Sequence, residues 1–522
     1  MTSIKFTRER EIELFVLCIW LFLIRIAIPY EKYIFVPYFI LFFAFTVSKI
    51  FSVSEIKRPP ICYIRVFSSF LVICLFFITG VLLSSKFDFY YLKEGLAMIV
   101  LLCIVFMAFT FVKNKDDFIV FKIVFMRQLL AFSIVICMFS QVKLFFLLRG
   151  IKFDFLFNAS RLYPNGSSLV IDYNFYALVN ILGIISSVFL LLKEISKLRI
   201  ALLQVLIFGL IINVMFSTSR RGIAILSLIL IFLFLIVLFG WLAQKGSWPA
   251  LLARRLRLIF LLFFGFVFFM IVFLSQRPFH SKESLYADLG FDRTTGRDLL
   301  YVCAVRYYTI IEPQFQDQSM DQYFERFRKT GEVGDMNRIF QISRKNEILD
   351  ASDSVSLNIP KEGNGDAYLS GIFNDPENRF SGGRIQRINY GIKVFSGYSG
   401  IRKVIGGGFD YLWDFGNEFY QRNLNRFYYD YPHNPILSAF LYSGVLGGLC
   451  LIWFYIMTVI FFIRSFRRLF YFVCLYSVIF FFAFFSGNSI FGNPEFVLIS
   501  LIPFFYAVFR YRNCEELPVS EK

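Results

Sequence analysis

Histidine is almost absent from this sequence, whose 522 residues include only two, His280 and His433. Two histidines far apart in the chain, with no cluster of cysteines beside them, argue against a histidine metal site. No Cys-x-x-Cys pair occurs, and of the nine cysteines only Cys303 lies in the large hydrophilic segment, which excludes a disulfide framework there. The sequence also has no Gly-x-Ser-x-Gly elbow, which leaves little support for a serine hydrolase.

Charged residues are scarce as well. They make up 17% of the sequence, compared with about a quarter in a typical soluble protein. Hydrophobic residues account for 57%, and the 72 phenylalanines are more than one globular core can hide from water. This composition predicts a polytopic membrane protein. The net charge of +17 does not indicate nucleic-acid binding, because the basic residues gather in the loops between apolar segments.

About twelve segments reach the length of about 20 mostly apolar residues that a membrane-spanning helix needs. They run over 12–29, 33–51, 66–84, 92–112, 118–140, 168–192, 200–216, 222–243, 257–275, 435–463, 469–486 and 495–510. The predicted fold class is therefore an all-α polytopic membrane protein. Its domains would be 1–275 with about nine helices, a hydrophilic insertion at 276–434 of helices and loops, 435–510 with about three helices, and a tail at 511–522.

Lysine and arginine in the short loops predict the orientation, because cytoplasmic loops are richer in positive charge. With the N-terminus in the cytoplasm, alternate loops carry basic clusters, such as Lys57 with Arg58 and Arg254 with Arg255. The loops between them are poorer in basic residues, which predicts cytoplasmic termini and an extracytoplasmic insertion. No small-residue cleavage site follows the first apolar run, so we expect that helix to be retained.

Two of the outward loops break this charge bias. One runs from about 141 to 167 and contains Arg161, and the other is the short turn 217–222, which contains Arg220 and Arg221. Positive charge on this side opposes the insertion rule, so another interaction should keep it there. A phosphate-bearing ligand would do so, because guanidinium groups match the geometry of phosphate oxygens. Snorkelling at a helix end is the alternative explanation for the arginine pair.

Polar residues also lie at the outer ends of two predicted spans. Asp172 and Asn174 open the sixth span, where they either cap the helix or line a polar mouth. The eighth span is expected to begin at Gly222. Its first N–H groups and the positive end of its dipole would then adjoin the two arginines and favour a bound anion.

Two motifs lie near the end of the hydrophilic insertion. Arg384 and Arg387 belong to a predicted amphipathic helix that ends near Phe395, and they lie either on a solvated face or against a ligand. The glycines at 406–408 indicate a close-packed turn. They do not fit a nucleotide-binding pattern, which requires a strand before the glycines and a helix after them.

His433 lies where the hydrophilic insertion meets the tenth predicted span. It stands between Pro432 and Asn434, directly before a long apolar run, and therefore at a boundary between water and lipid. The imidazole is either an interfacial residue with one hydrogen bond or a base that takes a proton from a sugar hydroxyl.

Taken in order, these motifs resemble the O-antigen ligase and O-antigen polymerase superfamily of bacterial envelope glycosyltransferases. The resemblance covers about 160 to 450. It rests on Arg161, Asp172-Tyr173-Asn174, Ser219-Arg220, Ser381 to Arg384, Gly406 to Phe409, Pro432-His433-Asn434 and Gly444 to Gly447. The order of the motifs, their side of the membrane and the large late insertion are similar to that family.

The resemblance implies a GT-C-like glycosyltransferase of the bacterial inner membrane, with the large loop in the periplasm and no need for a metal or other cofactor. Its partners would be an oligosaccharide linked to undecaprenyl diphosphate, the lipid bilayer and other polysaccharide-assembly proteins such as a chain-length regulator. By position, Arg220 would hold the diphosphate, and His433 would activate or orient the acceptor. The further substrate contacts would be Arg161, Asn174, Arg221, Arg384, Arg387 and Asn434. The double arginine leaves the correspondence open by one residue, and Arg220 is preferred because it follows Ser219.

Three other functions remain open from the sequence. The long insertion favours a polymerase over a ligase that transfers the glycan to lipid A–core. A flippase for lipid-linked oligosaccharides is the alternative from another class, although the paired repeats and interrupted helices typical of transporters are not evident. A membrane scaffold without activity would leave the outward arginines unexplained.

Overall fold

A computed structural model of the protein describes one set of residues: 2–27, 36–40, 42–44, 47, 61–84, 89–111, 115–148, 173–217, 219–242, 248–275, 384–419, 431–432, 434–463, 466–486 and 501. Every regular element within these ranges is an α-helix. Helices suit an apolar chain in a bilayer, because each backbone N–H and C=O must find a partner where water is absent.

The helices of the described ranges are labelled here in chain order. They are α1 (Thr2–Ala27), α2 (Ile61–Leu83), α3 (Phe89–Phe111), α4 (Lys115–Leu148), α5 (Tyr173–Lys193), α6 (Lys197–Phe216), α7 (Arg220–Leu242), α8 (Trp248–Ser275), α9 (Arg384–Ser396), α10 (Gly400–Ile405), α11 (Asp410–Phe419), α12 (Pro435–Ile463) and α13 (Phe466–Ser486).

Within the described residues, five helical stretches are long and apolar enough to cross a membrane. They are Asp116–Phe139, Asn174–Lys193, Lys197–Met215, Arg221–Phe239 and Pro435–Ile460. The prediction of an all-helical membrane protein is confirmed at this coarse level. The number of crossings stays a prediction, and so does the domain division, because 276–383 lies outside the described residues.

Two helix boundaries differ from the sequence prediction. Helix α4 continues to Leu148, into the segment expected to form a loop from 141, because neither glycine nor proline interrupts the chain before Gly150. Helix α7 begins at Arg220 rather than Gly222, for a reason given below. The amphipathic helix predicted from Arg384 to near Phe395 is confirmed as α9.

The chain divides into two compact units, each of which is described separately. Unit 1 combines 1–26, 30–124 and 357–522, and unit 2 combines 27–29 and 125–356. In unit 1, helices α2, α9, α10 and α13 pack against α12. In unit 2, helix α5 packs against α6, α7 and α8 and is almost wholly buried, which makes it the core helix of that unit.

Candidate functional site

A buried polar junction joins the first turn of α5 to the start of α7 in unit 2. The Ser219 hydroxyl donates a hydrogen bond to the side-chain oxygen of Asn174, with an Oγ–Oδ1 distance of 2.8 Å. Both side chains are buried. The contact brings together two motifs, 45 positions apart, that the sequence marked separately.

Ser219 is the N-cap residue of α7. Its hydroxyl oxygen accepts a hydrogen bond from the backbone N–H of Gly222 at 3.1 Å, and its carbonyl accepts one from Ile223 at 2.9 Å. A serine in this position satisfies an N–H that has no partner within the helix, which typically stabilises a helix by about 1 kcal/mol. The cap therefore starts α7 two residues earlier than predicted, with Arg220 and Arg221 as its first two residues.

The turn before Ser219 is held by a second serine. The Ser217 hydroxyl donates to the carbonyl of Val214 at 2.6 Å and accepts from the backbone N–H of Ser219 at 3.2 Å. Ser217 thereby closes α6 and positions the cap of α7. The two arginines therefore follow a short connection between α6 and α7. The hydrogen bonds of Ser217 and Ser219 hold the two ends of this connection.

The register of α7 places the two arginines on different faces. Arg221 is half-buried, and Ile225, one turn later on the same face, is only 5% exposed. Position 220 shares its face with Ala224 and Ser227, both of which are exposed. Position 221 also lies next to the exposed Ala224 and Leu228, so it lies at the edge of the packed face, whereas position 220 lies on the exposed face.

Electrostatics favour an anion at this end of α7. The N-terminal end of a helix carries a partial positive charge, so arginine in the first turn is unfavourable unless negative charge is nearby. The same end offers backbone N–H groups, which is why phosphate groups commonly bind at helix N-termini. Two adjacent arginines add charge-assisted donors suited to phosphate oxygens. The arrangement is therefore suited to a phosphate or diphosphate group.

Polar contacts continue from the junction into the interior of unit 2. The hydroxyl of the fully buried Tyr176 donates to the side-chain oxygen of Asn213 at 2.9 Å, and the Asn213 amide donates to the carbonyl of Gly209. Asn180 donates to the carbonyl of Tyr176 at 2.8 Å. Only the bond between Tyr176 and Asn213 joins two helices, and such a bond is worth about 0.6 kcal/mol in membrane bundles. It links α5 to α6, and the other two bonds lie within α6 and α5.

The pair formed by Tyr176 and Asn213 is not among the residues predicted from the sequence. Each is a hydrogen-bonding residue within an otherwise apolar span, and that is the signal that could have found it. The partner could not have been predicted, because the pairing depends on how α5 and α6 rotate against each other.

Gly222 permits the close approach of α7 to α5, and a larger residue there should separate them. A Cβ atom at Gly222 would lie 2.7 Å from the Cβ of Ala177. We expect Gly222→Ala to lower the stability of the protein by about 1–3 kcal/mol, the usual cost of overpacking. The measurement is the thermal unfolding of the detergent-purified protein, monitored by size-exclusion chromatography of heated samples.

Gly265→Ala is the matched control for that experiment. Gly265 also lies in a helix of unit 2, but a Cβ atom there would meet nothing within 4 Å. Alanine has the higher helix propensity, so this variant should be neutral or slightly more stable. Equal stability of both variants would contradict a close α5–α7 contact at Gly222.

Unit 1 contains a second arrangement, in which the glycine loop 406–408 docks onto a break in α12. Gly444 has a φ of +67° and a ψ of −166°, which interrupts the helix. The backbone N–H groups of Gly407 and Gly408 donate to the carbonyls of Leu441 and Tyr442, at 3.0 and 2.9 Å. The predicted close-packed turn at 406–408 is therefore confirmed, and the carbonyls that precede the break gain partners.

Tyr442 links this loop to helix α2. Its hydroxyl donates to the carbonyl of Phe77 at 2.6 Å, and its ring stacks on Phe77 with a centroid distance of 5.1 Å. Ser84, just after α2, accepts a hydrogen bond from the backbone N–H of Phe409 at 2.9 Å. The loop thus has fixed contacts with both helices.

A cluster around Arg402 supports the same loop. Its guanidinium pairs with the Asp414 carboxylate at 2.8 Å and lies 4.4 Å from the centre of the Tyr398 ring. Burial is the main cause that raises the pKa of the Tyr398 phenol, so it stays protonated and donates to the carbonyl of Leu441. None of these three side chains is predicted from the sequence to have a role.

The residues on either side of His433 have defined contacts. An Arg387 guanidinium nitrogen donates to the carbonyl of Tyr431 at 3.3 Å. Asn434 is the N-cap of α12, since its side-chain oxygen accepts the backbone N–H of Leu437 at 3.0 Å. Pro435 follows at the first helical position, where its fixed φ suits the helix and its lack of an N–H has no cost.

Arg161 and His433 themselves lie outside the described residues. For Arg220 and Arg384, the structure describes the helical positions, at the starts of α7 and α9. The structure brings Asn174 together with the first turn of α7, and it places Arg387 and Asn434 around the Tyr431–Pro435 segment. The substrate-contact roles of all these residues stay predictions.

Comparison with known proteins adds no relative. No family model matches the chain, and neither does any curated protein or solved structure. The interpretation of the site therefore depends on the residues and contacts described above.

Proposed function

We propose that this protein is a membrane glycosyltransferase of the O-antigen polymerase and ligase type. It would act on oligosaccharide units linked to undecaprenyl diphosphate, and polymerisation is the reaction that we favour. The observation that carries the proposal is the first turn of α7. There, two arginines follow the buried pair of Ser219 and Asn174, at a helix end suited to an anion.

Within this proposal, Arg221 is the main diphosphate contact. It is half-buried at the edge of the packed face of α7, and partial burial strengthens its interaction with an anion. Arg220, on the exposed face by register, would contact a lipid-linked substrate from the bilayer side. This assignment reverses the order of importance expected from the sequence, because the helix begins at Arg220 and its register separates the pair.

The proposed reaction needs few catalytic groups. An acceptor hydroxyl attacks the anomeric carbon of the donor sugar, and the bond between that carbon and the diphosphate oxygen breaks. The hydroxyl proton passes to the His433 imidazole, because an imidazole in its neutral form can act as a general base near pH 7. Because diphosphate is a good leaving group, anion stabilisation by arginine and correct positioning supply most of the rate enhancement. The reaction requires no metal ion.

The proposal extends to the architecture and location. We place about twelve membrane-spanning helices in a GT-C-like arrangement within the bacterial inner membrane. Both termini would face the cytoplasm, and the insertion at 276–434 would lie in the periplasm, where lipid-linked units await assembly. A chain-length regulator or another assembly protein is the expected protein partner.

Deletion of the gene, followed by gel analysis of surface glycans, tests the reaction class. A polymerase defect leaves single repeat units on the acceptor. A ligase defect leaves none there and long chains on the carrier lipid. A flippase defect prevents glycan from reaching the outer face, and that result would contradict the proposed enzyme.

His433→Ala should reproduce the deletion phenotype if the imidazole takes part in transfer. We expect at least a 100-fold loss of polymer, the usual scale for a general base. His280→Ala is the matched control, because it removes the other histidine of the chain and should leave the glycan pattern unchanged. Full-length glycan from normally expressed His433→Ala protein would refute the role of this residue.

A further inference from the structure

The burial pattern along α12 marks a boundary at Gly444. Every residue from Pro435 to Gly444 is buried or half-buried. From Val445 onwards one face is exposed and apolar, including Leu446, Leu449 and Trp453. The exposed part, which ends at Ile463, has about 19 residues and a length of roughly 28 Å. This length is close to that of the hydrocarbon core of a bilayer, about 30 Å, and the whole apolar stretch Pro435–Ile460 is longer than that core, which favours a bilayer surface near the break rather than at His433.

Helix α10 is fixed at the level of this break. A Cβ atom at Gly444 would overlap the Val404 carbonyl, so the last turn of α10 lies directly against α12. The loop that follows α10 donates two backbone hydrogen bonds, from Gly407 and Gly408, to carbonyls of α12. Backbone contacts of this kind leave α10 little freedom to move away. It therefore lies where the exposed apolar face of α12 begins.

At that depth α10 presents exposed apolar side chains beside a cation. Ile401 is 76% exposed and Val404 is 44% exposed, and Lys403 between them is exposed as well. Arg402 is committed to Asp414 and does not belong to this surface. Apolar residues beside lysine are typical of helices that lie in the plane of a membrane surface.

We propose that α10 is an interfacial helix whose occupant is the phospholipid bilayer. Ile401 and Val404 contact the acyl chains next to Val445, and Lys403 contacts lipid phosphate groups. The observation that selects lipid over other occupants is that this surface adjoins Val445, where the exposed apolar face of α12 begins. Lys403 beside it is suited to lipid phosphate groups. The proposal does not depend on glycosyltransferase activity, and its failure would leave the proposed function untouched.

Photocrosslinking in vesicles tests the position of Ile401. A photoreactive phenylalanine analogue replaces residue 401 in the full-length protein, reconstituted in vesicles of phosphatidylethanolamine and phosphatidylglycerol. Illumination should yield phospholipid adducts, identified by mass spectrometry. The same analogue at Leu449, which is 52% exposed on α12, is the positive control, and at the fully buried Tyr411 it should react only within the protein.

The outcomes at position 401 are distinct. Phospholipid adducts in a yield comparable to that at Leu449 support an interfacial helix. Adducts with another segment of this chain, or with a second copy, would show that protein covers the surface and would overturn the proposal. A lack of lipid adducts at 401 in vesicles where Leu449 reacts would overturn it as well.

Lipid selectivity tests Lys403. In mixed vesicles, the ratio of phosphatidylglycerol to phosphatidylethanolamine adducts at position 401 should exceed the ratio at Leu449 by about five-fold, because each basic residue near the surface attracts anionic lipid. Lys403→Gln should remove this enrichment while lipid adducts persist. An enrichment that Lys403→Gln leaves unchanged would refute the contact between Lys403 and lipid phosphate.

Discussion

Arg221→Gln should abolish polysaccharide assembly, and Arg220→Gln should reduce it much less. Glutamine is nearly as long as arginine but carries neither the charge nor the guanidinium fork that binds phosphate oxygens in pairs. Removing one donor that stabilises a developing anion typically costs about 100-fold to 1000-fold in rate. We expect that loss for Arg221→Gln, and a loss of at most about ten-fold for Arg220→Gln, whose position lies on the exposed face. Glycan gels and transfer assays in membranes measure both.

Arg221→Lys separates charge from geometry. Lysine keeps the positive charge but binds phosphate as a point charge, so partial activity is expected. Protein levels in the membrane must match in all variants. If Arg220→Gln is inactive and Arg221→Gln is active, the first turn of α7 is still supported as the anion site. The assignment of Arg221 as the main diphosphate contact is then wrong. If both glutamine variants are fully active, the first turn of α7 is not the diphosphate site.

Local patterns in the sequence predicted much of this part of the fold. Apolar length located the helices, and the disfavoured positive charge drew attention to Arg220 and Arg221. The start of α7 was misplaced by two residues because Ser219 was not interpreted as an N-cap, although serine is among the preferred residues there. The cap matters for function, since the register that it sets decides which of the two arginines lies nearer the packed face of α7.

The partners of the motifs could not be predicted. Asn174 was interpreted from the sequence as a cap or a lining residue, and its bond to Ser219 depends on the packing of α5 against α7. The break in α12 was missed for a similar reason. Glycine is common within membrane helices, so the sequence gives no sign that Gly444 has a positive φ until the loop at 406–408 is placed against it.

The glycine loop fixes the first part of α12, the helix that follows His433. Asn434 caps α12. Two turns further along α12, Tyr442 contacts both the glycine loop and helix α2. The carbonyl of Tyr431 is bound by Arg387 from α9. Tyr431 and Asn434 are therefore positioned by contacts that all belong to unit 1. A proposed catalytic histidine needs such rigid neighbours, since small displacements of a catalytic group can reduce the rate substantially.

Gly406→Ala should consequently disrupt both the structure and the activity. Gly406 has a φ of +87°, which residues with a side chain rarely adopt. A Cβ atom there would overlap the Tyr442 carbonyl, which belongs to the backbone and cannot rotate away. Strain of about 1–3 kcal/mol adds to an overpacking cost of similar size. We expect a lower thermal stability, measured by unfolding of the purified protein, and a loss of polymer on glycan gels.

Gly400→Ala is the matched control, because it also lies in this region but a Cβ atom there would meet nothing within 4 Å. It should fold and act normally. Gly406→Ala protein that is stable yet inactive would mean that the loop acts on the site without supporting the fold. Protein that is stable and fully active would contradict the docking of the loop against the break in α12. The second result would also remove the fixed position of α10, on which its contact with the bilayer surface depends.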